Sequence, residues 1–311
     1  MRRVAAAKTL MRRSLLLSIL VFTALAAAPA ALPAQDRPFL PGEIRALVER
    51  AIANQHRDDA ALMEFERTER TQVRKSANDA TPSEDKAYRV IPAGTGNARI
   101  PIEDHGRATE AAAYRKQLRD LEQALVRVLD PHSAKQKQDD AKFQKRVRDR
   151  AELVDATRDA FRYTWLGRET RDGRTFVKLS AEPNPGYNAP SRTASLFSYV
   201  RATVWIDEAS AHMARVEAEI IRDISFGGGV IGKLYRGGRF VLEQTEVAPG
   251  IWLPTRYQYD FGGRKFLFSF ETHKLTLVSN YRRIGPPKEA LAAIRRELSA
   301  GNGAAASQTN P

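Results

Sequence analysis

The residue types that carry acid–base, nucleophilic or metal chemistry are spread along this chain rather than gathered. His56, His105, His132, His212 and His273 stand far apart, with no His-Glu-x-x-His pair to set two imidazoles around zinc. Cysteine is absent, which removes thiol nucleophiles, thiolate metal sites, disulfides and lipidation of an N-terminal cysteine. No Gly-x-Ser-x-Gly elbow marks a serine hydrolase. Glycoside hydrolysis needs only two facing carboxylates, and Glu64, Glu66, Glu69, Glu217, Glu219, Glu243 and Glu246 all fall in strand-like segments. Glu217 and Glu219, however, share their parity with Arg215 and alternate with Val216, Ala218 and Ile220, the pattern of a solvent-facing sheet surface. Gly227, Gly229 and Gly232 spell G-x-G-x-x-G, but a dinucleotide site needs that pattern between a strand and a helix. It lies here in a run of strands, where a flexible hairpin or bulge accounts for it. No catalytic group, cofactor or metal site is expected, and the chain reads as a non-enzymatic protein.

The most organised pattern is aromatic. GIWLPTRYQYDFGGRKFLFSFETHKLTL, residues 250–277, holds six Phe and Tyr, most of them at every second position. Trp165 shares parity with Phe161 and Tyr163, whereas Trp205 opposes Val204 and Ile206, and Trp252 opposes Leu253, Tyr257 and Tyr259. Some strands therefore carry apolar groups on both faces. A sheet covered by helices on one side and hollow or occupied on the other produces that pattern.

The elements that must position these rings follow from periodicity. Ile44, Leu47, Val48, Ala51 and Ile52 have the spacing of a one-faced helix, with Pro41 near its start. Met63, Phe65, Thr71 and Val73 share the parity of a half-buried strand, and a second short strand is expected at 87–91. From Gly106 to about Ala160 the chain is rich in charged and helix-favouring residues, and Pro131 breaks it into two helices. Strand-like text resumes at Phe161, with a hairpin turn at Asp172-Gly173 and further strands at 196–207, 212–223, 238–247, 251–261 and 264–279. Consecutive strands of this kind predict an α+β protein: a curved antiparallel sheet or incomplete β-barrel with packed helices and a charged helical insertion at about 106–160.

The ends read differently from this domain at 35–285. Residues 1–34 read as a signal peptide, with Arg2, Arg3, Lys8, Arg12 and Arg13 ahead of an apolar run from Leu15 to Ala28. Cleavage after Ala34 is expected, leaving no stable transmembrane span and an exported protein of the periplasm or outer-membrane periphery. Losing five basic residues and no acids leaves 45 basic and 37 acidic side chains, a net charge of +8 rather than +13. That surplus suits anionic envelope components, while nucleic acid is a poor partner outside the cytoplasm. Residues 286–311 predict a short helix through Leu298 and a disordered tail.

Three stretches in order, GRETRDGRTFVKLSAEPNPGY, VRATVWIDEASAHMARVEAEI and GIWLPTRYQYD, resemble exported bacterial proteins of the LolA-like group, the outer-membrane lipoprotein-sorting proteins. Within that group they resemble most a set of uncharacterised secreted proteins. The likeness rests on the Gly167–Arg174 hairpin, the Trp205–Asp207 strand end and the Gly250–Pro254 strand start, and covers about residues 161–283. It implies a half-barrel curved around helices, whose concave apolar face holds a lipid or lipoprotein acyl chain. Phe161, Tyr163, Trp165, Val204, Ile206, Val216, Ile220, Phe240, Tyr257, Phe266, Phe268 and Phe270 would then face that interior by parity. The alternative is an envelope adaptor that acts through the charged helices at 106–160.

Overall fold

Pro41 opens the first helix, α1 (Pro41–Ala61), and the Glu43 carboxylate accepts the Leu40 backbone N–H at 2.8 Å, fixing its first turn. The structure, a computed structural model, describes residues 37–130, 132–227 and 231–306. The expected signal peptide and the end of the expected tail lie outside the described residues. Residues from Pro38 onward belong to one compact unit.

After α1 come β1 (Phe65–Arg74), β2 (Glu84–Pro92), β3 (Asn97–Asp104) and β4 (Arg107–Ala108). The charged segment then folds as the two expected helices, α2 (Ala111–Val128) and α3 (Ala134–Ala160), with the Ser133 hydroxyl accepting the Gln136 N–H to cap α3. Strands β5 (Phe161–Arg171) and β6 (Arg174–Pro183) form the hairpin turned at Asp172-Gly173. They are followed by β7 (Val200–Asp207), β8 (Met213–Ile220), β9 (Ile224–Phe226), β10 (Gly232–Leu234), β11 (Arg239–Ala248), β12 (Ile251–Lys265) and β13 (Phe268–Arg283). Helix α4 (Pro287–Ala306) runs past Leu298, beyond the short helix expected there.

All 13 strands belong to one sheet in the order β4-β3-β2-β1-β13-β12-β11-β8-β7-β6-β5, with β10 joined to β12 and β9 to β10. Every pairing is antiparallel, and the path ends at β4 and β5, so the sheet is open and not closed into a barrel. Pairing of β1 with β13, through Glu69 with Val278 and Thr71 with Thr276, lays the first strand beside the last.

The helices pack on opposite faces of this sheet. Ile44, Leu47, Val48 and Ile52 of α1, with Val154 of α3, bury against Val177 and Leu179 of β6 and Ile206 of β7. At the other end, Leu118, Leu121 and Leu125 of α2 and Ala290, Leu291 and Ile294 of α4 bury Ile91 of β2 and Ile100 of β3. The narrow leucine stripe of α2 is therefore filled from within the chain. Arg89 closes that end, donating to Glu66 at 2.7 Å, to Glu297 of α4 at 2.8 Å and to the Tyr114 hydroxyl of α2 at 2.6 Å.

Several details differ from the periodicity reading. β3 and the β9–β10 hairpin are additional strands, the latter formed by the glycine-rich segment that reads as a hairpin or bulge. Residues 194–199 form a 3-10 helix ahead of β7. The turn between β12 and β13 lies at Phe266-Leu267 rather than at Gly262-Gly263. Gly263 instead sits mid-strand because a Cβ there would stand 2.5 Å from the Lys233 carbonyl of β10 and 2.8 Å from the Phe270 ring.

Candidate ligand-binding face

Cross-strand partners point to the same side of a sheet, so the register assigns the faces. Leu179 pairs with Trp165 and with Val204, Val204 with Val216, Ala218 with Phe240, and Leu242 with both Val216 and Tyr257. Tyr257 pairs with Thr276, Gly263 with Phe270 and Lys265 with Phe268. Phe161, Tyr163, Trp165, Val204, Ile206, Val216, Ile220, Phe240, Tyr257, Phe268 and Phe270 thus share the face that carries α1. Phe266 departs from the expectation: it occupies the β12–β13 turn with φ 52°, outside the alternation.

These residues do not share one environment. Tyr163, Trp165, Val204 and Ile206 belong to the packed core under α1 and α3, with Trp165 stacked on Phe39 at 5.3 Å and the Tyr163 hydroxyl donating to the Thr157 carbonyl. Phe161 packs on Phe197. Ile220 is buried, and a Cβ on Gly238 would touch it. Beyond α1 the face continues through a row of half-buried rings, Phe240 on Tyr259 at 5.1 Å and Tyr259 on Phe261 at 5.9 Å. Phe268 and Phe270 end this face near the hairpin tip, where Phe268 is 79% exposed.

Beside the ring row lies a hollow of about 420 Å³, lined from β1, β2, β3, β12 and β13 by Glu69, Thr71, Glu84, Lys86, Tyr88, Arg99, Tyr257, Tyr259, Lys274 and Thr276. Burial pushes the Tyr257 hydroxyl up to about 12 and raises Tyr259 as well, so both stay neutral donors. Arg99 lies over the Tyr88 ring at 4.6 Å and pairs with Glu69, which also accepts from Arg67 Nε at 2.8 Å. The Thr71 and Thr276 hydroxyls meet at 3.1 Å. The hollow therefore joins an aromatic wall to a charged rim, an arrangement suited to an amphipathic ligand. Among the described residues no group of three or more His, Asp or Glu is placed to hold a metal.

Glu217 and Glu243 point to the opposite face, where both meet Arg215, and Glu219 accepts from Arg201. Trp205 also faces that side; it donates to Glu169 at 2.8 Å and lies under Lys178 and Arg215. Around Trp252, bulges between Glu243 and Gln244 and between Glu246 and Ala248 break the alternation, so parity counted along the sequence does not carry through.

A buried polar group that the sequence reading did not find fixes α1 to the sheet. The Asp58 carboxylate accepts the Trp252 backbone N–H at 3.0 Å and lies 3.7 Å from His212 Nε2, and the His212 ring stacks on Trp252 at 5.5 Å. Burial raises Asp58 from 3.8 to about 6, and burial with the nearby Arg57 lowers His212. Next to them Gln244 donates to Gln55 of α1 and to the Met213 carbonyl. The available signal is that Asn54, Gln55 and Asp58 continue the helical spacing of α1's buried stripe.

No family model and no curated protein matches this chain. Solved structures do. The chain is similar to a putative outer membrane lipoprotein-sorting protein domain from Vibrio parahaemolyticus, at 11% identity over 76% of this chain and 92% of that one, with a TM-score of 0.28. It is also similar to a LolA superfamily protein from Nitrosomonas europaea, at 13% identity over 76% and 92% and a TM-score of 0.29. A DUF1329 family protein from Desulfovibrio piger shows 12% identity over 77% and 92%, again with a TM-score of 0.29.

Proposed function

We propose that the protein is an exported, non-enzymatic binder of lipid, or of the acyl part of a lipoprotein, on the sheet face beyond α1. The observation that carries this reading is the row Phe240, Tyr259 and Phe261, half-buried beside the open hollow while the same face a few strands away is sealed by helices. Unsealed rings beside an open hollow favour a hydrocarbon guest. Each buried CH2 contributes roughly 0.8 kcal/mol, so one chain is held firmly yet released without covalent chemistry. At the rim Arg99 is paired with Glu69, and Lys86 and Lys274, beside Glu84, suit the polar head of such a guest.

Titration with a fluorescent fatty acid tests the proposal. Saturable binding that weakens in Phe240→Ala and Tyr259→Ala supports it, and identical binding in both variants contradicts it. The adaptor reading would rest on the charged surface of α2 and α3, since α2's apolar stripe is occupied by α4.

A further inference from the structure

Two hairpins end at one corner of the molecule. Gly232 of β10 pairs with both Lys265 of β12 and Phe226 of β9, and the Phe266 backbone N–H donates to the Ile231 carbonyl at 3.1 Å, which holds the tips side by side. This corner collects Phe226, Ile231, Phe266, Leu267, Phe268 and Phe270, six of the 13 exposed large apolar side chains among the described residues. Leu267 is 86% exposed and Phe268 79%. Single exposed apolar residues are ordinary on soluble proteins, but a contiguous set at one tip is not.

The backbone adds a second observation. A two-residue hairpin turn favours Asn, Asp or Gly, yet this one is Phe266-Leu267, with Phe266 at φ 52° in the left-handed region. Folding alone gains nothing from an aromatic residue there, and such departures collect at functional sites.

Charge indicates the partner. Lys233, Arg236, Arg264 and Lys265 stand at the tips with Asp223 and Glu271, while Arg239 lies farther back opposite Glu219 and Asp260. Lys233 pairs with Asp223 at 2.7 Å. Lys265 and Arg264 stand one and two positions behind the turn, and at about 3.3 Å per strand residue their heads fall at phosphate level when the rings enter the interface. Three hollows of about 450, 420 and 610 Å³ are lined by none of Ile231, Phe266, Leu267 and Phe268. A fluid surface accepts the tip without a matching pocket.

We propose that this double-hairpin tip docks the protein on a bilayer containing anionic phospholipid, with Phe266, Leu267 and Phe268 entering the interface and Arg264 and Lys265 meeting lipid phosphates. The docking stands independently of acyl-chain binding on the sheet face.

The test is vesicle flotation of the unit from Pro38 onward, so that the apolar N-terminal segment does not contribute. Vesicles of phosphatidylglycerol in phosphatidylethanolamine should carry the protein, with affinity falling as salt rises, and vesicles of phosphatidylcholine should carry far less. Leu267→Ser with Phe268→Ser, and separately Lys265→Glu, should each weaken flotation by roughly tenfold or more while leaving the melting temperature in place. Phe240→Ala, which touches only the sheet face, should float like the parent protein, so failure of one proposal is separable from failure of the other. Flotation unchanged in the tip variants overturns docking, as does equal binding to phosphatidylcholine. A parent protein that does not float but sediments as a dimer, with the double variant a monomer, assigns the tip to a second copy and also overturns it.

Discussion

Asp58 on α1 accepts the backbone N–H of Trp252 on β12 at 3.0 Å, joining the helix that covers the sheet to the strand that carries its ring row. The carboxylate is buried, so this hydrogen bond competes with the cost of keeping a charge out of water. Folding raises Asp58 from 3.8 to about 6, and between those values the folded protein holds a proton that the unfolded chain has lost. Stability from this group is therefore highest below pH 3.8 and declines as pH rises to about 6. His212 acts in the other sense: its lowered value makes folding less favourable as pH falls below its ordinary range. Asp58→Asn should remove the first contribution, flattening the decline between pH 4 and 6 by on the order of 2 kcal/mol in denaturant titrations. An unchanged pH profile would show that another group is responsible.

The face divides into a sealed part and an open part, and truncation should separate them. Leu179→Ala, under α1, should cost about 2–5 kcal/mol of folding stability. Phe240→Ala and Tyr259→Ala, in half-buried positions, should cost less and instead weaken binding of a fluorescent fatty acid by roughly tenfold. Denaturation and ligand titration on the same three variants check the division.

Arg89 holds α2 and α4 on the far face through Glu66, Glu297 and Tyr114. Removing it leaves a buried Glu66 with Arg282 as its remaining ion partner. Arg89→Ala is expected to destabilise the fold by about 3 kcal/mol and to speed amide exchange in α4 more than in α1.

At the hairpin corner, Gly263→Ala should push β10 away from β12, because the added methyl would collide with the Lys233 carbonyl. Faster amide exchange at Gly232–Leu234, with the β5–β6 hairpin unaffected, is the expected result.

Much of this architecture is legible from periodicity, because long segments that bury one face leave a repeated signal. The stripe Ile44, Leu47, Val48, Ile52 marks α1, and the alternation around Trp165 marks β5. Both charged helices at 106–160 are legible instead from their charged, helix-favouring composition and the break at Pro131. β9 and β10 are only three residues each and flank a glycine-rich stretch of sequence, and they are too short to repeat a pattern.

The β12–β13 turn shows why glycine can mislead. Gly262-Gly263 looks like a turn, yet Gly263 is required by close approach of a carbonyl and a ring, and the true turn hides in the uninterrupted run Lys265-Phe266-Leu267-Phe268. Alternation counted through that run points Phe266 inward, although the residue sits in the turn. The Asp58 site escapes sequence reading because His212 and Trp252 lie more than 150 positions from it, and only the packing of α1 on the sheet brings them together.

Mass spectrometry of the organic extract from detergent-free protein, exported and purified from a bacterial host, tests the central claim most directly. The account predicts a lipid or acyl species near one per protein in the parent and depleted in Phe240→Ala with Tyr259→Ala. An empty extract from well-folded parent protein that also fails to take up added fatty acid would contradict it.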